Sequence, residues 1–133
     1  MNASASPAVQ PDDAGRLLEL IHGGWTSQAL CAAVELGLPD RLAPGALTAT
    51  QLAQGTHCDA EALRRLLRAL ASLGIVSEQD DGGHALTRLG RCLCSDAPDS
   101  LQAQATWFGR YSWPLWGQLS DSVRTGVDRK SVV

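Results

Sequence analysis

The segment 59–90 constrains the fold most, because it joins a strongly amphipathic helix to a short hairpin. Five leucines recur at helical spacing behind a capping residue, Asp59, namely Leu63, Leu66, Leu67, Leu70 and Leu73. The runs "IVSEQ" and "HALT" lie on either side of "DDGG" and predict two short strands around a tight turn. A helix followed directly by such a hairpin is typical of a winged helix.

A second helix is predicted just before this segment. Thr48 begins "TATQLAQGT", and Gln51 follows three residues later, as in a capping box. A turn containing Gly55 then leads to Asp59. Two helices joined by a short glycine-containing turn form a helix-turn-helix, so the sequence predicts a winged helix-turn-helix with a small two-stranded wing.

The N-terminal part predicts further helical structure, with Asp12 as the candidate cap. Apolar residues at helical spacing form one face, made of Leu17, Leu18, Ile21, Trp25 and Leu30. The pair Gly23-Gly24 indicates either a kink in one long helix or a junction between two helices. Gly37 and Pro39 are expected to end the helical segment.

Two more helices are predicted after a short helical turn that starts at Thr87. They are "DSLQAQATWFGR" and "SWPLWGQLSDSVRTG", the second with Pro114 in its first turn. Five aromatic residues lie within ten positions, namely Trp107, Phe108, Tyr111, Trp113 and Trp116. Aromatic residues at this density belong to a core, an interface or an apolar pocket, and the sequence alone leaves the choice open. The fold class is therefore mainly α.

The charge pattern argues against a DNA-binding use of this fold. Three arginines of the predicted recognition helix could face DNA, namely Arg64, Arg65 and Arg68. The chain has a net charge of −3, however, and the predicted wing carries Glu78, Asp80 and Asp81. An acidic wing is repelled by a phosphate backbone. We therefore interpret the arginines as a solvated face with a Glu61–Arg65 pair, and keep a small winged-helix transcriptional regulator as the alternative.

Composition excludes other classes of protein. The 133 residues suffice for one domain, and no apolar run has the length of about 18 residues that a membrane span needs. Residues 1–11 lack the pattern of a secretion signal, and we interpret them as a disordered tail. We therefore expect a cytoplasmic protein without membrane partners. A zinc site is conceivable from scattered ligands, namely His57, Cys58, His84, Cys92 and Cys94. Their spacing lacks the paired pattern of structural zinc sites, which favours no metal and ordinary thiols.

The order of these segments carries a resemblance to a known family. From Gly15 to Gly126, the succession of "LLELIHGGWTSQALCAAVELGLPDRLA", "LTATQLAQGT", "DAEALRRLLRALASLGIVSEQDDGGHALTRLG", "SDAPDSLQAQATW" and "WGQLSDSVRTG" resembles the N-terminal dimerisation domain of S-adenosylmethionine (SAM)-dependent O-methyltransferases. The similar enzymes are those of the plant caffeate and acetylserotonin type, with bacterial relatives in natural-product biosynthesis.

The resemblance implies a winged-helix domain, 12–126, with extra N-terminal dimerisation helices and no nucleic-acid partner. It implies a homodimer whose interface contains the N-terminal apolar face around Leu17, Leu18, Ile21, Trp25 and Leu30. It also implies that the aromatic residues between Trp107 and Trp116 lie near a pocket for a small hydroxylated aromatic acceptor in a full-length enzyme.

The part of the family that performs methyl transfer is not found in this sequence. A SAM site of this class needs a strand that ends in a glycine-rich turn, and no such G-x-G turn occurs. His22, His57 and His84 match no catalytic position. We therefore expect an inactive chain without catalytic, cofactor-binding or metal-binding residues, SAM being the cofactor of the full-length family only.

The final residues 127–133 read "VDRKSVV" and contain the chain's only lysine. We interpret them as a non-native or truncated tail. Two interpretations then stand beside the transcriptional regulator: a dimerisation module supplied as a fragment, and a stand-alone interaction protein that pairs with itself or with a full-length enzyme.

Overall fold

The computed structural model describes residues 6–127, which form a mainly helical fold with one small sheet. The helices are α1 Asp13–His22, α2 Trp25–Glu35, α3 Leu38–Leu42, α4 Ala49–Thr56, α5 Ala60–Ser72, α6 Gln102–Trp107, α7 Trp113–Trp116 and α8 Leu119–Thr125. A 3-10 turn spans Gly90–Leu93 and a π-helical turn spans Phe108–Ser112. The mainly helical prediction is confirmed.

The sheet has three antiparallel strands, so the predicted two-stranded arrangement is corrected. The strands are β1 Leu47–Thr48, β2 Val76–Glu78 and β3 Gly83–Leu86, in the order β1-β3-β2. Leu47 lies opposite His84, and Glu78 lies opposite the same His84 on the other side. The two residues of β1 are too few to produce an alternating pattern, so the sequence gives no signal for this strand.

The predicted capping hydrogen bonds form at two of three helix starts. The Thr48 hydroxyl accepts from the Gln51 amide at 3.1 Å, and the Gln51 side chain accepts from the Thr48 amide at 2.8 Å. The Asp59 carboxylate accepts from the Ala62 amide at 2.8 Å. Helix α1 begins directly after Asp12, as predicted, but the Asp12 side chain makes no capping hydrogen bond.

The predicted N-terminal helical segment is divided by Gly23 and Gly24 into α1 and α2, which settles the open choice in favour of two helices. Helix α2 ends just before Gly37, as predicted, but Pro39 belongs to the next helix. It lies in the first turn of α3, where a residue without an amide hydrogen costs nothing, and Gly37 adopts a left-handed conformation (φ 72°) between the two helices.

The C-terminal helices differ from the prediction in where they break. The chain stays helical from α6 through the π turn into α7, and the Trp113 amide donates to the Phe108 carbonyl, five residues back. Pro114 follows at once and cannot donate a backbone hydrogen bond, which accounts for the local change of helix type. The single predicted helix over 112–126 is instead interrupted after Trp116.

The core is formed mainly by α2 to α5 and the sheet. Its most completely buried large side chains are Leu38, Leu42, Leu52, Leu67 and Leu70. Neither α1 nor α8 contributes a buried residue. Residues 6–11 lie outside the helices and are exposed, whereas the predicted tail 127–133 lies, apart from Val127, outside the described residues. Within residues 6–127, no helix is long and apolar enough to cross a membrane.

Candidate functional site

The first candidate site is an exposed apolar surface on α1. Leu17, Leu18, Leu20 and Ile21 are between 52% and 65% exposed, and Trp25 at the start of α2 is 44% exposed. We call these five residues the α1 surface. The opposite side of α1 carries an ion pair between Arg16 and Glu19, 3.2 Å apart. The helix therefore has one apolar and one charged side, as a packed helix does, yet none of its residues is buried within residues 6–127.

Four of the five residues predicted for the N-terminal apolar face lie on the α1 surface. Leu30 does not, because it is partly buried against the core. It lines a separate cavity of about 240 Å³ with Leu93, Leu101 and Phe108. Leu20 was missed in the sequence because it lies at the edge of the helical repeat that defines the face.

The second candidate site is an aromatic cavity of about 500 Å³ along the C-terminal helical segment. Four of the five predicted aromatic residues line it, namely Trp107, Phe108, Tyr111 and Trp116. Gln104 and Ser112 add polar groups to a lining that is otherwise apolar. An apolar concavity with a few polar groups is the usual form of a small-molecule site.

Trp113, the fifth predicted aromatic residue, lies elsewhere. Its indole ring covers Gly24 so closely that a side chain at position 24 would overlap it. Trp113 therefore connects α7 to the junction between α1 and α2. This contact explains why position 24 holds a glycine.

Polar contacts hold the π turn against α2 and so position the aromatic cavity. The Gln28 side-chain amide donates to the Gly109 carbonyl at 2.8 Å, and Arg110 forms an ion pair with Glu35. The hydrogen bond from Arg110 lowers the pKa of Glu35. Glu35 also accepts from the Cys31 thiol at 3.3 Å, and burial raises the pKa of that thiol. The pairs Gln28–Gly109 and Glu35–Arg110 were not singled out in the sequence, because they are 81 and 75 positions apart.

The arginines of α5 lie on a charged surface. Arg64 pairs with Glu61 at 2.6 Å, so the predicted Glu61–Arg65 pair is wrong and the partner is one position earlier on the helix. Arg64 and Arg68 line a cavity of about 310 Å³ together with Glu78 and His84. Arg65 does not line this cavity.

The scattered cysteines and histidines do not converge. All four cysteines are free thiols. Within the described part of the chain, the one group of potential metal ligands is Asp40, Cys94 and Asp96. Of the ligands considered for zinc, it contains only Cys94, whose thiol donates to the Pro39 carbonyl at 3.5 Å.

The arrangement of residues 6–127 differs from that of a dinucleotide-type SAM site. Every strand of the described sheet is antiparallel and at most four residues long. A dinucleotide-type site instead requires a parallel strand that leads through a glycine-rich turn to a helix N-terminus. No step of methyl transfer can be assigned to residues 6–127.

Comparison with known proteins decides the family. A sequence model described as "O-methyltransferase dimerisation domain" matches residues 18–96, which is more than half of the chain. The chain belongs to this family. The match includes the α1 surface from Leu18 onwards, the sheet and α5, and it ends before the aromatic cavity.

Relatives and solved structures agree with this assignment. The chain is 43% identical over 118 residues to 3-amino-4-hydroxybenzoate 4-O-methyltransferase of Streptomyces cremeus, covering 87% of this chain and 32% of the relative. It is 37% identical over 123 residues to human acetylserotonin O-methyltransferase, covering 86% and 35%. The crystal structure of the human enzyme in complex with SAM superposes with a TM-score of 0.82 at 32% identity, over 97% of this chain and 38% of that chain.

The chain thus spans about a third of the length of these relatives. It is a dimerisation domain of the SAM-dependent O-methyltransferase family, matched to part of longer enzymes. The comparisons do not support the alternative of a transcriptional regulator.

Proposed function

We propose that the chain forms a homodimer through the α1 surface and that it serves as the dimerisation module of an O-methyltransferase. The observation that carries this proposal is that α1 buries none of its residues, although four large aliphatic side chains share one side of it. Complete burial of such a side chain contributes about 1.5–3 kcal/mol. A second copy of α1 can supply the missing contacts in a chain whose family is defined by dimerisation.

We further propose the finer description of the fold as a winged helix-turn-helix domain over 12–126, flanked by two tails. Helices α4 and α5 would be the helix-turn-helix, and β2 and β3 the wing. The wing exposes Glu78, Asp80 and Asp81, and Arg64 is neutralised by Glu61, which supports a domain that does not bind nucleic acid.

The dimer proposal is tested by sedimentation of the full chain and of the Leu18→Glu/Ile21→Glu variant. Both positions are exposed, so the variant should keep its fold by circular dichroism while it sediments as a monomer. Leu89→Glu is the matched control, because Leu89 is 58% exposed and lies outside α1. A Leu18→Glu/Ile21→Glu dimer as stable as that of the control would refute the assignment of the interface.

We also propose that the aromatic cavity contributes one wall of the methyl-acceptor site in a longer enzyme. The support is the lining by Trp107, Phe108, Tyr111 and Trp116, together with the aromatic hydroxy acid in the name of the Streptomyces cremeus relative. Aromatic rings bind flat aromatic molecules by stacking, and the ring area is already exposed.

A direct test of the acceptor wall uses 3-amino-4-hydroxybenzoate as the probe and tryptophan fluorescence as the readout. We expect saturable quenching that is lost in Trp107→Leu and kept in Trp25→Leu, because Trp25 lies outside the cavity. Equal loss in both variants, or quenching that never saturates, would contradict an acceptor site at this cavity.

A further inference from the structure

The charged cavity between α4, α5 and the sheet shares no lining residue with the α1 surface or the aromatic cavity. It has a volume of about 310 Å³, close to the lower end for small-molecule sites. The groups that face it are Thr50 of α4, Arg64 and Arg68 of α5, Glu78 of β2 and His84 of β3. Four separate elements thus contribute polar side chains to one space.

The two arginines differ in whether the side chain already has an ion-pair partner. Arg64 is held by Glu61 at 2.6 Å, although Arg64 also lines the cavity. The Arg68 side chain makes no hydrogen bond or ion pair within residues 6–127. A guanidinium group in this state can donate two parallel hydrogen bonds to one oxyanion. Glu78 is the only carboxylate in the cavity lining, and because Glu61 from outside the lining already pairs with Arg64, Arg68 and Glu78 are the two opposite charges that remain at the cavity.

The N-terminus of α4 adds amide donors on the same side. The Thr48 hydroxyl is used by the amide of Gln51, which leaves the amides of Ala49 and Thr50 without intrahelical partners. Neither amide has another partner in the described part of the chain. Ala49 and Thr50 both line the cavity, and the start of a helix attracts negative charge.

His84 provides the independent indication of a ligand. It is only 7% exposed, and its Nδ1 is, among the described residues, the one buried side-chain nitrogen or oxygen without a hydrogen-bond partner. Buried polar atoms in native proteins are almost always hydrogen-bonded, to protein, water or ligand. His84 lines the cavity but its Nδ1 is closed to solvent, so a bound molecule would become the partner of Nδ1 only after the imidazole ring turns toward the cavity.

We propose that this cavity binds a small oxyanion, such as the phosphate or carboxylate group of a small molecule. Arg68 is the principal charged donor, and the amides of Ala49 and Thr50 and the imidazole of His84 complete the site. Glu78 weakens binding by repulsion. The small volume and the acidic wing favour a compact anion over a DNA duplex, which would contact Arg65 as readily as Arg68.

The test is an NMR titration of the full chain with inorganic phosphate and, separately, with acetate, at constant pH and constant ionic strength. Constant ionic strength removes the general screening of surface charge. We expect saturable shifts of the Ala49 and Thr50 amides and of the His84 ring nitrogens. Saturation by phosphate alone identifies a phosphate site, saturation by acetate alone identifies a carboxylate site, and either supports the proposal.

Three variants make the result specific. Arg68→Gln should weaken binding roughly tenfold or more, because it removes a charged hydrogen-bond donor. Glu78→Gln should strengthen binding, and Arg65→Gln, which removes the same charge from the same helix outside the cavity, should leave it unchanged. Shifts that never saturate, or that weaken equally in Arg65→Gln and Arg68→Gln, would overturn the proposal. Tight binding of a short DNA duplex that depends on Arg65 would also overturn it.

Discussion

At the scale of single residues, close contacts between distant segments determine where the sites lie. Gly109 in the π turn lies against Cys31 of α2, and Gly24 lies under the Trp113 ring. Each glycine permits an approach that any side chain would prevent. The sequence shows these glycines but not their partners, because residues 31 and 109 are brought together only by the fold. Aromatic density likewise predicted a group of rings, but not that Trp113 would be separated from it.

The contact at Gly109 predicts a clear effect of one methyl group. In Gly109→Ala, the new methyl would overlap the Cys31 side chain close to the α2 backbone, where little movement is possible. We expect a loss of about 1–3 kcal/mol in the free energy of unfolding, measured by urea denaturation. Gly15→Ala is the control, because nothing lies within 4 Å of that position and alanine is the better helix former by about 1 kcal/mol. A Gly109→Ala variant as stable as Gly15→Ala would contradict the packing described.

The ion pair between Arg110 and Glu35 predicts a dependence of stability on pH. Arg110 lowers the pKa of Glu35 in the folded chain, so the unfolded chain binds this proton first as the pH falls. The stabilisation is therefore complete above the ordinary glutamate pKa of about 4.3 and is lost as the pH falls through the lower folded pKa. Urea denaturation between pH 7 and pH 3 measures it.

Two variants isolate this contribution to stability. Glu35→Gln should be less stable than the wild type near pH 7, and the difference should shrink as the pH approaches 3. Arg110→Gln should show a smaller pH dependence than the wild type, because the cause of the lowered pKa is removed. A difference between wild type and Glu35→Gln that stays constant over this range would show that the pair does not act through charge.

At the scale of helices and strands, the sequence predicted features that depend on neighbouring residues and missed those that depend on distant ones. The caps at Thr48 and Asp59 involve hydrogen bonds over three positions, so the residue types alone identify them. Strand β1 has only two residues, so it is recognised only by its pairing with β3. The helical break after Trp116 is visible only in the structure, where α7 ends and α8 begins at Leu119. Asp12 failed as a cap although its residue type is suitable, because capping also requires an extended backbone at that position, whereas Asp12 is helical.

The cap of α5 predicts an effect on the whole fold, because Leu63, Leu67 and Leu70 of this helix are central to the core. Asp59→Ala removes the acceptor for the Ala62 amide and should cost about 1 kcal/mol of stability. Asp59→Ser keeps a capping oxygen and should restore most of that loss. Thermal or urea denaturation distinguishes the two, and equal stability of Asp59→Ala and wild type would mean that the cap is not used.

At the scale of the whole molecule, residues 6–127 divide into a core and four helices without a buried residue, namely α1, α6, α7 and α8. The helical spacing of apolar residues predicted that α1 is amphipathic. The sequence could not show whether its apolar side faces the core of the same chain or another molecule. The structure shows that it does not face this chain's core. Family membership then gives this exposed surface its interpretation, because the matched domain is one of dimerisation.

The most direct test of the dimer is an isotope-filtered NMR experiment on a mixture of labelled and unlabelled chains. It detects contacts between two copies only. We predict intermolecular contacts from the methyl groups of Leu17, Leu18 and Ile21 to the α1 surface of the partner. A dimer by sedimentation whose intermolecular contacts avoid α1 would contradict the proposed interface, and a chain that stays monomeric at NMR concentrations would contradict dimerisation itself.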